Sequence, residues 1–227
     1  TFAPVVYAEQ GFDLLRDFAP ISAIAKVPVS LVVNPAKLDV KDFAGFLAAA
    51  RKAPGSINIG SSGLGTMPHL AIELLQQKAG IALTHVPYRG GGPALQDLLS
   101  GQLDATFQPL STVASYVQSG RLRALAVASL TREAVLPNVP TFAEAGLPDF
   151  DVSTWYGLFA PKATPVAAHD ALHGAVQKAL AAADVKHIWQ EQGARIELQS
   201  RQAFADFVVH EVERWSAIAR KTGLPME

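Results

Sequence analysis

The chain has 227 residues, 49% hydrophobic and 17% charged, a balance that builds ordered globular structure and excludes a solvated, disordered polypeptide. A formal net charge of −1, with lysines and arginines scattered singly, excludes the electrostatic footprint of a nucleic-acid binder. The absence of cysteine excludes disulfides, thiolate metal sites and a cysteine nucleophile, and no apolar run approaches the roughly 20 residues that span a bilayer.

The opening "TFAPVVYAEQ" has neither a basic n-region nor an apolar h-region, so no signal peptide is read there. Without an initiator Met, the sequence is expected to start inside a longer gene product. "VSLVVN" (29–34) reads as a β-branched strand. Asp39 is then expected to cap a helix over "VKDFAGFLAAARK", where Phe43, Phe46, Leu47 and Ala50 share one face and "APG" at 53–55 ends it. "INI" (57–59) is a strand that leads into "GSSGLGTMPHL" (60–70). The next helix spans about 67–79, with Thr66 as N-cap, Pro68 in the first turn and Gly80 behind it.

The same unit repeats. "LTHV" (83–86) is a strand, "PYRGGG" a loop, and "PALQDLLS" a helix opened by Pro93 and closed by Gly101. "ATF" (105–107) is a strand before a helix over about 111–119, and "ALAVA" (124–128) is a buried strand. The Pro-rich "LPNVPTFAEAGLPDF" crosses the surface with one short helix near 141–145. "STWYGLFAP" (153–161) is a long aromatic strand, followed by helices over 166–183, 184–192 and from 201 to Gly223.

Strands and helices alternate, which predicts an α/β protein with mainly parallel pairing. The two long strands bracket about 120 residues of βα units, while 1–30 and 159–227 read as mostly helical. The expected layout is one lobe from 1–30 and 154–227, a second from 31–153, and a hinge at the crossing strands.

"GSSGLGTMPHL" is the first chemical candidate. A Gly-rich turn at a helix start favours an anion, but the third glycine of G-x-G-x-x-G is Pro68 and no G-K-[ST] follows. Around Ser62, Leu64 breaks the G-x-S-x-G of a nucleophile turn, and no spacing places His69 or His85 beside a hydroxyl. His169 with His173, and His69 with Glu73, are i,i+4 pairs that lack a third ligand, so no metal is expected. "YRGGG" (88–92) is either a nest of N–H donors or a loop needing positive φ. Both loops follow strands, which puts them at the carboxyl ends of the sheet, where open α/β folds bind ligands. Trp155 and Tyr156 read either as walls of a ligand cleft or as core.

The stretch "SSGLGTMPHLAIELLQQKAGIALTHVPYRGGGPALQDLLSGQLDATF", with "GRLRALAVAS", "LPNVPTFAEAGLP" and "WYGLFAPKATP", resembles the Bug-type solute receptors of tripartite tricarboxylate transporters along essentially the whole chain. The resemblance rests most on S-S-G-x-G-T-x-x-H-L and H-V-P-Y-[KR]-G. It implies a two-lobed α/β periplasmic-binding-protein fold of type II kind, with a cleft between lobes and the N-terminal part of the first lobe missing. It further implies a periplasmic monomer that binds a small carboxylate and hands it to membrane permease subunits, without catalysis, cofactor or nucleic acid. The matching ligand loops hold Ser61, Ser62, Gly63, Gly65, Thr66 and His69, then Tyr88, Arg89, Gly90 and Gly91, with Gln108 and Trp155 as further candidates.

Two departures shape the expectations. A P-F-x-x-G-G-x-x-D clamp loop is absent from the sequence, so weak or no ligand binding is expected of these 227 residues alone. Gln108 stands where many family members carry Asp, so simple carboxylates are expected over amino acids. The rival readings are a ligand-sensing effector domain of a transcription regulator and a hydrolase acting through Ser62 or His69. Submicromolar carboxylate binding by the 227-residue chain, measured by calorimetry, overturns the first expectation.

Overall fold

A computed structural model of the chain describes residues 11–191 and 193–222. The chain divides into a central unit, Pro28–Ser153, and a terminal unit built from the segments on either side of it. The strand β1 (Phe18–Val33) contributes to the sheets of both.

In the central unit the strand order is β3-β2-β4-β1-β5, with β2 (Asn58–Ser61), β3 (Thr84–Pro87), β4 (Ala105–Pro109) and β5 (Arg123–Val127). β2 pairs parallel with both β3 and β4, each reached by a helical crossover, as parallel neighbours require. β1 runs antiparallel to β4 and to β5. The expected parallel pairing therefore holds for β3-β2-β4 and fails at β1, which enters the sheet from the opposite end. The sequence pattern also showed only the last third of β1. Its first part, read as helical, is extended because Pro20 and Pro28 are incompatible with a helix interior.

The first two helices are both capped by aspartate, the second by a different one from that expected. α1 (Leu14–Asp17) is a single turn capped by Asp13, and α2 (Phe43–Lys52) is capped by Asp42, whose Oδ1 accepts from Gly45 N at 2.8 Å. Asp39 instead approaches Arg123 at 3.2 Å. The short helix expected near 141–145 is a turn. Thr141 and Glu144 bond reciprocally, the Glu144 amide to Thr141 Oγ1 at 3.1 Å and the Thr141 amide to the Glu144 carboxylate at 2.8 Å. Gly146, at φ 92°, ends this capping box before a second turn can form.

α3 (Met67–Ala79) packs on β2 and β4, and α4 (Gly91–Ser100) starts two residues ahead of Pro93. α5 (Leu110–Gln118) follows β4 directly. Val32, Ala94, Leu98, Leu103, Val113 and Leu122 form one buried cluster. Phe43, Phe107, Phe142 and Phe150 form an aromatic one, with the Phe142 and Phe150 centroids 4.2 Å apart.

In the terminal unit, β6 (Ser153–Pro161) and β7 (Arg195–Ile196) pair with β1, beside α6 (Val166–Ala181), α7 (Ala183–Glu191) and α8 (Arg201–Thr222). Leu14, Ala23, Trp155, Phe204 and Val208 make its core. Gly157 lies directly under Phe204, and a Cβ there would stand 2.2 Å from the ring's Cζ. Phe204 is fully buried against Trp155, Phe159 and Phe207, so the ring has nowhere to move. Gly157→Ala is expected to cost about 1–3 kcal/mol by overpacking, read as a lower urea midpoint with an unchanged slope.

Candidate functional site

The parallel register sets Ser61, the last residue of β2, opposite Pro87, the last of β3. Both strands end at the same level, and the loops beyond them are stitched together. The Tyr88 amide donates to Ser61 O at 3.1 Å and the Gly90 amide to Ser62 O at 3.2 Å. Gly63 and Gly90 take φ of 125° and 118°, conformations that a side chain opposes, and a Cβ on Gly63 would press on the Tyr88 carbonyl at 3.1 Å. This answers the alternatives left open for "YRGGG": positive φ is required at Gly90, and Gly91 begins a helix.

At Gly91 the backbone comes close to two polar side chains. A Cβ there would stand 3.4 Å from Ser62 Oγ and 3.3 Å from Gln108 Oε1. Gln108, 3% exposed at the end of β4, donates from Nε2 to the Gly91 carbonyl at 3.1 Å. The amides of Gly91 and Gly92 lie in the first turn of α4 and have no intrahelical acceptor. Ser62 from the loop after β2, Gly91 from the start of α4 and Gln108 from the end of β4 thus come together, and Ser62 Oγ makes no hydrogen bond to another described residue. Arg89 stands exposed on the same loop.

Other residues read from the sequence spend their polar groups within the protein. Ser61 is fully buried; its Oγ accepts from the Gly63 amide at 3.1 Å and lies 2.6 Å from His85 Nε2. A hydroxyl beside an imidazole, which no spacing suggested, is therefore present, but it has no access to a substrate. Thr66 occupies the N-cap position without capping; its Oγ1 donates to the Gly63 carbonyl at 2.7 Å. No side chain caps this helix; His69, 3% exposed in its first turn, instead reaches back so that Nδ1 accepts from the Gly65 amide in the loop at 3.0 Å. His69 and His85 stack with centroids 4.1 Å apart and planes 13° apart. Tyr88 turns its hydroxyl away onto Asp97 at 2.7 Å, and burial with that carboxylate pushes the phenol up to about 12. Trp155 belongs to the terminal unit's core, edge-on to Phe204 and Phe207, with its Nε1 buried and unpartnered among the described residues.

Sequence reasoning weighed His85 but missed its partner Ser61, and it missed Asp97. Their only signals were the inward alternation of β3 and the i,i+4 faces of α3 and α4, and neither names a partner 24 residues away, as His85 has in Ser61. His173, one of the possible metal pair, spends Nδ1 on the Ile21 carbonyl at 2.9 Å. Among the described residues no three His, Asp or Glu side chains gather as metal ligands, and no helix is long and apolar enough to cross a membrane.

Two α/β units sharing one strand, with open loops after parallel strands, are the architecture of the periplasmic binding proteins. The chain belongs to the tripartite tricarboxylate transporter receptor family, whose model matches residues 1–224. It is 42% identical over 213 residues to a protein encoded in the tcbD-tcbE intergenic region of Pseudomonas sp., and 34% identical over 216 residues to protein BugT of Bordetella pertussis. These alignments cover 93% and 95% of the chain but only 63% and 66% of the relatives' own lengths. A solved periplasmic transporter superposes with a TM-score of 0.89 at 33% identity, over all of this chain and 77% of that one. An R. palustris protein solved with adipate gives 0.86 at 33% identity, covering 96% and 73%. MatC from Rhodopseudomonas palustris, solved with bound malate, gives 0.83 at 31%, covering 96% and 74%.

Burial, and secondarily the His69 ring, lower the His85 pKa from 6.5 to about 4. Between those values the unfolded chain binds a proton that the folded chain does not. The contribution of His85 is therefore complete above about pH 6.5 and is lost as pH falls toward 4, with about 2 kcal/mol gone by pH 5. Glu73, raised by burial, acts in the opposite direction, so the comparison isolates His85. Urea unfolding at pH 8 and pH 5 is expected to show a smaller loss in His85→Asn than in the unsubstituted chain.

Proposed function

We propose that this chain is part of an extracytoplasmic solute-binding receptor that captures a small organic carboxylate for a tripartite tricarboxylate transporter. The observation that carries this reading is the convergence of Ser62 Oγ, the Gln108 amide and the first-turn amides of α4 around Gly91. Neutral donors at a helix start hold a carboxylate through short, charge-assisted hydrogen bonds without fixing it by a full countercharge. That combination suits a carrier that must also let go. Arg89 adds a cation at the rim. The family, and the adipate and malate in two similar structures, support the same ligand class.

In this reading Ser62 and the Gly91 and Gly92 amides contact the ligand, while Ser61, Gly63, Gly65, Thr66, His69, Tyr88 and Gly90 shape the loops. Gln108 fixes the Gly91 carbonyl and turns the helix start toward the ligand. The receptor acts in the periplasm as a monomer, with permease subunits as its membrane partner and without cofactor or catalysis. Ser62 Oγ has no imidazole or carboxylate on it among the described residues, and His69 is buried with Nδ1 engaged by the Gly65 amide, which favours a receptor over a hydrolase acting through either.

Calorimetry of the whole protein against malate, adipate, aspartate and glutamate tests the proposal. Binding of the simple acids is expected, with Ser62→Ala weakening it about 10- to 100-fold, the loss of one hydrogen bond to a charged group. Gln108→Asp sets a carboxylate against the Gly91 carbonyl and the ligand's own charge. It is expected to weaken malate and adipate and to favour ligands that carry an ammonium. Tight aspartate or glutamate binding by the unsubstituted protein, with none of malate or adipate, overturns the ligand class.

A further inference from the structure

We propose that His69, stacked on His85, is a positioning residue that holds the loop from Ser62 to Thr66 in its ligand-accepting shape only while its ring is neutral, so that acid releases the bound carboxylate. The second half of this inference rests on the carboxylate reading above; the first half does not.

The glycine amides that shape the loop end on this pair. Gly65 donates directly to His69 Nδ1 at 3.0 Å. Gly63 donates to Ser61 Oγ at 3.1 Å, and that oxygen lies 2.6 Å from His85 Nε2. A backbone N–H can only donate, so His69 Nδ1 carries no proton and the neutral ring bears its hydrogen on Nε2. A proton added to His69 goes to Nδ1 and sets N–H against N–H at the Gly65 anchor. The two donors must then part, and the loop moves with the amide.

The surroundings oppose a positive charge at this site. The rings face each other at 4.1 Å, so charge on one opposes charge on the other. The elements packed most closely on α3 are β2, β4 and β3. β2 offers no titratable side chain and sets Ser61 against His85, β3 offers only His85, and β4 offers none. On α3 itself, Glu73 Oε1 lies 3.7 Å from His69 Nε2, too far for a hydrogen bond. Asp97 of α4 is engaged by the Tyr88 hydroxyl. Burial lowers the pKa of both imidazoles, which keeps them neutral and the loop formed through the ordinary range, and puts the transition in acid.

Two readouts on the whole protein test this. The first needs no ligand: the Gly63 and Gly65 amide resonances are followed from pH 7.5 to 4. They are expected to shift together with the imidazole titration while the Leu31 amide in β1 keeps its native position. The second compares malate and adipate affinities of the unsubstituted protein and His69→Asn, whose side-chain oxygen can accept from Gly65 but does not titrate. Protonation of the acids themselves cancels in the ratio of the two proteins at each pH. The unsubstituted protein is expected to lose about threefold more affinity than His69→Asn between pH 7.5 and 4.

Glycine amides that stay fixed while the rings titrate overturn the inference, as does an identical pH profile in both proteins. A loop transition with no malate or adipate binding at any pH supports the brace and overturns the carboxylate reading instead. If His69→Asn does not fold, the amide titration alone decides.

Discussion

The parallel register that sets Ser61 against Pro87 is the constraint on which the candidate site depends. It ends two strands at one level, so that two glycine-rich loops leave the sheet side by side and bond to each other rather than to water. Three consequences follow from that geometry. Gly63 and Gly90 must take positive φ, Gly91 must stay bare where Ser62 and Gln108 approach, and Tyr88 must turn down to Asp97. A slip of one residue in β3 would turn His85 to the other face and carry the loop at Tyr88–Gly90 out of step with Ser61 and Ser62, because strand residues alternate between faces.

The loops are firm below and open above. Ser61, Thr66 and His69 satisfy the inner donors and acceptors at 2.6–3.1 Å, which spares the buried backbone the cost of unmet hydrogen bonds. Ser62 and the start of α4 remain unengaged on the outer side. Such a division suits a binding surface, since a ligand group then replaces water on preset donors without the loop reorganising. The buried layer is polar and holds two imidazoles, so the shape of the surface is tied to the protonation of groups that never touch the ligand.

Much of the fold was legible because it is local. The boundaries of β6, the helix faces of α2 and α3 and the βα rhythm follow from apolar spacing and from Pro and Gly punctuation. What failed was non-local or ambiguous: the first part of β1, an alanine-rich run whose two prolines were the only clue, and the antiparallel entry of β1 beside β4. At the site, Ser62, Gly91 and Gln108 were chosen from the sequence and stand together. Of the other residues chosen, Tyr88 and Thr66 are half-buried with their hydroxyls bonded to Asp97 and the Gly63 carbonyl, His69 is buried against the Gly65 amide, and Trp155 lies in the terminal unit's core.

The sequence by itself determined the family, the α/β class and the identity of the two glycine-rich loops, since hydrophobic period, glycine placement and ordered motifs are properties of neighbouring residues. Only the tertiary structure decided which hydroxyl faces outward and which is sealed, that Thr66 and His69 bond the loop and leave the helix without a side-chain cap, and that His85 lies against both His69 and Ser61. These depend on strand register and on contacts between segments far apart in the chain, and no local pattern encodes a distance between two side chains that meet only when the sheet has formed.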